Sequence, residues 1–304
     1  MKTREISSLS EYLKTIEELK KDYCCGTPFS QFAFRGLSNS NYRLIPSLFR
    51  KQCDRVHRDD GTEQEIENCA YLSFGNEKEI LQFFILDAVR YVDIETNDFA
   101  RWVEYAQHYG VPTRLLDWSN NPLTALYFAC RDELTLDGKV WLLHQGNYNT
   151  LWRQCISEEY RTKTIRDIIS ELIEDKHIEG KPSINIKFPI LYIPYYIDFR
   201  MCTQDSLFMV WGTELGSLED LLEDEKYYME YTESETPLRV RDERQESAML
   251  FEFFIPHHVK QALLRELDLV GVNEKSLFPG LDGIGRYVEQ KYHSNYDEAV
   301  ETIL

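Results

Sequence analysis

The chain has 304 residues, with 43% hydrophobic and 13% aromatic content, which is a globular composition and excludes a disordered chain. Its formal net charge of −18 opposes long-range attraction to duplex nucleic acid, which depends on neutralising phosphates. No apolar run approaches the roughly 20 residues that cross a bilayer, and seven cysteines without a CxxC pair point to reduced thiols rather than a disulfide framework or structural zinc.

The start, MKTREISSLSEYLKTIEELKK, is charged throughout and lacks the apolar core of a signal peptide, so a cytoplasmic location with no membrane partner is expected. Ser8 and Glu11 read as a capping box, and Tyr12, Leu13, Ile16 and Leu19 recur at helical spacing to about Asp22. Phe32 to Gly36 alternates instead, which predicts a strand with Phe32 and Phe34 on one side and Ala33 and Arg35 on the other. The polar stretch from Gln52 to Asn76 predicts an irregular, mobile loop, and Glu77 to Tyr91 a helix.

Asn121-Pro122 resembles a helix start, a capping side chain followed by proline at the first position, with Leu123, Leu126, Tyr127 and Cys130 on one face. Lys139 to His144, Ile190 to Pro194, Leu207 to Trp211 and Met249 to Pro256 read as strands; Ile156 to Lys176 and Val259 to Val270 read as helical. Between Glu214 and Glu235 the chain is very acidic, which predicts an exposed helix and loop within an insertion over about 214–248, open to a basic protein partner. Strands and helices intermix without regular βαβ spacing. The expectation is one α+β domain over 1–304, with a central, mainly antiparallel sheet flanked by helices.

Three blocks carry a resemblance to a known family. FAFRGLSNSNYRLIPSLFR (32–50) holds a Phe-Arg-Gly signature followed by a Leu-Ile-Pro-Ser-Leu-x-Arg pattern. QHYGVPTRLLDWSNNPLTALYFA (107–129) is nearly continuous with that family's most distinctive segment, and FRMCTQDSLFMVWG (199–212) supplies a later Arg-x-x-x-Gln element. With SLFPGLDGIGRYV (276–288), these blocks make the chain resemble the FRG domain family over about residues 30–290. Members of that family occur in varied contexts, some linked to phage defence, and the resemblance alone implies no reaction.

The residues offer chemistry of their own. Arg35 beside Gly36 can present a planar guanidinium to a phosphate or carboxylate, or instead close a buried ion pair, while Gly36 permits close approach of a ligand or backbone. His108 suits acid, base or hydrogen-bond roles, with a satisfied core histidine as the alternative. Arg114 and Asp117 sit in a segment that suggests a buried polar network around a cleft, or a self-contained pair with each other. Ser119 precedes a helix N-terminus that favours an anion, or serves as a local cap. Gln204 suits a ribose hydroxyl pair or a bridge between backbone groups, and Arg200 lies in the same block.

The order of strand arginine, serine before Ala-x-x-Phe-Ala, and late glutamine is similar to the Arg–Ser–Glu pattern of the ADP-ribosyltransferase superfamily. That resemblance implies NAD as substrate and no metal. It places Arg35 and Ser119 on the nicotinamide ribose or phosphate, and Gln204 or Asp205 where a catalytic glutamate would stand. A neutral glutamine stabilises developing positive charge poorly, so binding without turnover, NAD hydrolysis and a different nucleotide all remain open. Arg35, Arg43, Arg50, Lys51, Arg55 and Arg58 also cluster in sequence, which keeps a nucleic-acid end or nucleotide as a partner of a sensing module.

Overall fold

The computed structural model describes residues 3–23, 31–50, 52–57, 63–68, 74–174, 184, 186–223 and 249–303. The strands are β1 (Thr3–Glu5), β2 (Phe32–Leu37), β3 (Gln52–His57), β4 (Glu63–Asn68), β5 (Leu115–Ser119), β6 (Gly138–His144), β7 (Ile190–Tyr192), β8 (Ser206–Val210) and β9 (Leu250–Ile255). The helices are α1 (Leu9–Tyr23), α2 (Phe74–Ala88), α3 (Phe99–His108), α4 (Pro122–Arg131), α5 (Gln145–Cys155), α6 (Glu158–Arg161), α7 (Ile165–Glu174), α8 (Phe199–Thr203), α9 (Leu218–Glu223), α10 (Lys260–Leu269), α11 (Glu274–Leu277) and α12 (Leu281–Ile303).

Seven strands form one sheet in the order β1-β9-β6-β2-β5-β8-β7, antiparallel except where β1 runs parallel to β9. The fold is therefore α+β, a mainly antiparallel sheet flanked by helices. Strand alternation sorts the side chains as the pleat requires. Phe32 and Phe34 join Val140, Leu142, Phe251 and Phe253 beneath α1, α4 and α10. Each of these two phenylalanines is 1% exposed, and such burial contributes roughly 1.5–3 kcal/mol per side chain. Further along the same face, Leu115, Phe208 and Val210 pack under α2, α3 and α7. The opposite face carries Ala33, Leu116, Trp118, Trp141, Leu143 and Met209, covered by the 3-10 turn Ser47–Phe49, α5 and α9.

Most local signals translate into the expected elements. Asn121 caps α4 by accepting from the Leu123 amide at 2.9 Å, with Pro122 in the first turn. At α1 the Ser8 hydroxyl accepts from Glu11 N at 3.2 Å, but the Glu11 carboxylate reaches back to the amide and hydroxyl of Ser7, at 2.9 and 2.7 Å, one residue earlier than a capping box requires. The helical reading of 156–176 resolves into two separate helices, α6 and α7, after α5 has ended at Cys155.

Two expectations are corrected. The Gln52 to Asn76 stretch is not an irregular loop: β3 and β4 pair antiparallel from Gln52↔Asn68 to His57↔Glu63, and α2 starts at Phe74. Backbone pairing holds such a ribbon without an apolar face, so a polar composition conceals it. The acidic segment is not exposed at its start. In α9, Leu218, Glu219 and Leu221 are buried, and the Glu219 carboxylate accepts from the Leu44 amide at 3.1 Å. Residues 224–248 lie outside the described residues. Among the described residues no helix is long and apolar enough to cross a membrane.

Candidate functional site

β2 pairs with β6 along its whole length, from Phe32↔His144 to Leu37↔Lys139, yet meets β5 at a single register pair, Phe34↔Ser119. Beyond that pair the two strands part, and the sheet opens into a cleft of about 850 Å³. That volume falls in the range of small-molecule sites. The end of α3 and helix α8 form one wall, α4 another, and the loop after β2 with the Gly216–Asp220 segment closes the far side.

Arg35 spans the opening. Its Nη1 donates to the Asp117 carbonyl oxygen and lies 3.8 Å from Asp117 Oδ2, so its guanidinium bridges strands that have lost their backbone ladder. Burial pushes its pKa down to about 10, with Asp117 opposing and Arg50 assisting the shift; the group stays charged at neutral pH. Gly36 sits directly under α4, where a Cβ would collide with the Ala125 carbonyl and the Ala129 amide. Close backbone approach, one of the two uses expected of this glycine, is thus what the packing requires. β2 continues through it to Leu37.

Asp117 projects from the middle of β5 into the cleft with its side chain 56% exposed. Its Oδ2 accepts from Gln107 Nε2 at 2.8 Å. His108, the neighbour of Gln107 at the end of α3, also lines the cleft and places Nε2 2.6 Å from Asp198 Oδ2. Burial lowers the His108 pKa against the pull of Asp198, which favours a neutral ring that donates from Nε2. Asp198 in turn caps α8 by accepting from Met201 N at 2.9 Å, so this contact fixes α8 against α3.

Ser119 lines the cleft with its hydroxyl already engaged: Oγ donates to the Gln204 carbonyl at 2.6 Å and accepts from Asn121 N at 2.9 Å. The side chain thus acts as a local cap and as a strut to α8. Gln204 also lines the cleft; its Nε2 donates to the Leu277 carbonyl at 3.0 Å, and its Oε1 has no partner among the described residues. Asp205 turns away from the cleft in a left-handed conformation with φ of 47°, and receives Asn120 Nδ2 and Tyr196 OH at 3.1 and 3.2 Å. Arg200 on α8 stacks over the Phe278 ring at 4.7 Å and has no hydrogen-bond or ion-pair partner among the described residues. Burial lowers its pKa, opposed by Asp117 and Asp198.

Arg114 does not join this group. It is 1% exposed and binds Glu77, with Nε 2.7 Å from Oε2, and also donates to the carbonyls of Trp211 and Leu172. It is outside the cleft lining, so it is not the ligand-binding residue expected, and it pairs with Glu77 rather than, as the alternative had it, with Asp117. The cleft thus gathers Arg35, Gly36, His108, Asp117, Ser119, Arg200 and Gln204, and leaves Arg114 in the core.

Sequence reasoning missed several contributors. Arg50, one of a basic run in the sequence, borders the cleft with its Nε on the Ile45 carbonyl at 3.1 Å and its terminal nitrogens unpartnered among the described residues. Trp118 and Thr124 also line the cleft, and Trp118 Nε1, Thr124 Oγ1 and Arg35 Nε are buried with no hydrogen-bond partner among the described residues. Buried polar atoms are almost always satisfied, so these three, on β5, α4 and β2, are exceptions gathered beside the cleft. Gln107 carried a signal, since it lies in the same distinctive block as His108 and Asp117.

The model of the FRG domain family matches residues 30–138, a span from just before β2 to the first residue of β6. No curated protein and no solved structure matches the chain. Within the matched span lie Arg35, Gly36, Arg50, Gln107, His108, Asp117 and Ser119, whereas Arg200 and Gln204 are added to the cleft from beyond it. The chain carries an FRG domain, and the cleft is built chiefly from it.

Proposed function

We propose that the cleft binds NAD or a closely similar dinucleotide and that the chain consumes it, by hydrolysis or by transfer of ADP-ribose. The observation that carries this reading is the charge pattern of the cleft. Four arginines, Arg35, Arg43, Arg50 and Arg200, line it in a chain whose net charge is −18; of its three carboxylates, Asp220 is paired with Arg43 and Asp132 lies beside Arg131, which leaves Asp117 as the one next to Arg35. Guanidinium forks suit a pyrophosphate, and one carboxylate suits a cationic pyridinium ring on the same ligand. The Oε1 of Gln204, which has no partner among the described residues, is available to accept from a ribose hydroxyl. The chain order Arg35, Ser119, Gln204 supports the same class of ligand, and phage defence is the setting that the family resemblance suggests.

Incubation of the protein with NAD, followed by measurement of free nicotinamide and of the melting temperature, tests the reading. NAD raises the melting temperature of the wild type, by the equivalent of about 2.7 kcal/mol at a hundredfold excess over Kd, and Arg35→Ala abolishes the rise. No rise with millimolar NAD and no nicotinamide released would overturn it.

A second reading is favoured by Ser119 and Gln204. The serine hydroxyl is committed to the Gln204 carbonyl, and the glutamine amide is held by Leu277, so neither supplies a charge to a reacting centre. On that reading the cleft senses a nucleotide without turnover. A melting-temperature rise with no nicotinamide released would select it.

A further inference from the structure

Three carboxylates border the cleft among the described residues, and they differ in what they are free to do. Asp220 is paired with Arg43 at 2.5 Å and accepts from the Ser217 hydroxyl at 2.7 Å. Asp132 lies 3.6 Å from Arg131. Asp117 uses one oxygen: Oδ2 takes the Gln107 amide at 2.8 Å and has Arg35 Nη1 at 3.8 Å, while Oδ1 has no partner among the described residues.

The orientation of Asp117 is set by a relay. The Thr113 hydroxyl accepts from Leu115 N at 3.1 Å, so its one hydrogen is free to point elsewhere, and it donates to Gln107 Oε1 at 2.6 Å. With its carbonyl oxygen so occupied, Gln107 can present only its NH2 group to Asp117, and it does so to Oδ2. Thr113 is itself 2% exposed, which anchors the chain of contacts in the core. A carboxylate fixed through one oxygen, with the other bare and facing a cavity, is the arrangement of a working group rather than of a structural ion pair.

We propose that Asp117 is the catalytic carboxylate of this cleft, with Gln107 and Thr113 as its positioning residues; the proposal rests on the reading of NAD as substrate. The C1′–N bond of the nicotinamide riboside breaks, and its electron pair passes to the ring nitrogen, so the pyridinium leaves as neutral nicotinamide. Positive charge develops at C1′ and O4′ of the ribose, and the Asp117 carboxylate stabilises it across the cleft. Water attacks C1′ and loses its proton to Asp117, which passes it to solvent. The products are ADP-ribose, nicotinamide and a proton. Arg35 holds the phosphates, and its contact with the Asp117 backbone keeps the two groups at a fixed spacing. Gln204, the residue in the order expected for a catalytic acid, has no charge with which to fill this role.

The test measures NAD binding by melting temperature and nicotinamide release by steady-state kinetics on the same full-length proteins. Asp117→Asn retains the NAD-induced rise, and its kcat falls about a hundredfold or more, with KM within about threefold of wild type. Thr113→Val lowers kcat about tenfold or more through misplacement of Gln107 and Asp117, and Thr113→Ser, which keeps the hydroxyl, restores it. A wild-type kcat in Asp117→Asn overturns the role of Asp117 and leaves the NAD reading standing. A wild type that binds NAD without releasing nicotinamide also overturns that role, and selects nucleotide sensing over consumption. A wild type that neither binds nor cleaves NAD removes the substrate itself, and this proposal with it.

Discussion

At Gly36 the backbone of β2 passes beneath α4 so closely that there is no room for a side chain, because a Cβ would meet the carbonyl of Ala125. Backbone cannot yield as a flexible side chain does, so Gly36→Ala must push α4 away from the sheet. The cost of such overpacking is about 1–3 kcal/mol. Because α4 also forms a cleft wall through Thr124, Ala125 and Phe128, the same substitution shifts that wall against Arg35. Urea denaturation should show a lower midpoint with an unchanged slope. Retention of wild-type stability by Gly36→Ala would show that α4 is not seated as closely as this.

Arg114 shows how one side chain can fix several elements. Its guanidinium and amide bind Glu77 of α2 while Nη1 and Nη2 donate to Trp211 after β8 and Leu172 of α7, at 3.1 and 3.3 Å. These contacts hold α2 and α7 against the end of β5, and so position the wall that carries Gln107 and His108. Glu77→Ala leaves a buried, unpaired cation and should destabilise by about 3–5 kcal/mol. The double variant Glu77→Leu/Arg114→Met, which removes both charges, should recover most of that loss in equilibrium denaturation. A double variant as unstable as the sum of its singles would deny the pair any coupling.

The same residue marks where the sequence stops being legible. The start of α4, the alternation of β2 and the apolar runs of β6 and β9 are written locally, and each appears near its expected place. Glu77, by contrast, is 37 residues from Arg114, and no local pattern joins them. The nearer acid, Asp117, lies three positions along an extended segment, roughly 10 Å away, too far for a pair. Within the site, Arg35 and Asp117 were legible because they stand in short motifs. The stack of Arg200 on Phe278 and the gap between β2 and β5 were not, because they arise from which strands the topology makes neighbours.

Over the whole molecule the acidic balance makes the cleft a local exception, and it also makes stability depend on which carboxylates the fold leaves charged. Glu104 on α3 is 2% exposed; the Tyr192 hydroxyl donates to its Oε1 at 3.3 Å, and its Oε2 has no partner among the described residues. Burial raises its pKa to about 7, against the pull of Arg166 and the Tyr192 hydroxyl. A carboxyl that binds its proton more tightly when folded contributes stability that is fully present below its unfolded pKa near 4.5 and is lost as pH rises through about 7. The loss is on the order of 3 kcal/mol for a shift of this size. In the wild type the lowered pKa values of His108 and His144 oppose it, since those rings add stability as pH rises toward 6.5 and keep it above that. The comparison with Glu104→Gln cancels the histidines and isolates the carboxyl. The variant should match the wild type near pH 4.5 and gain on it steadily to about pH 8, where it is more stable by on the order of 3 kcal/mol. A stability difference between the two proteins that stays flat with pH would show that Glu104 is charged throughout and finds its compensation inside the fold.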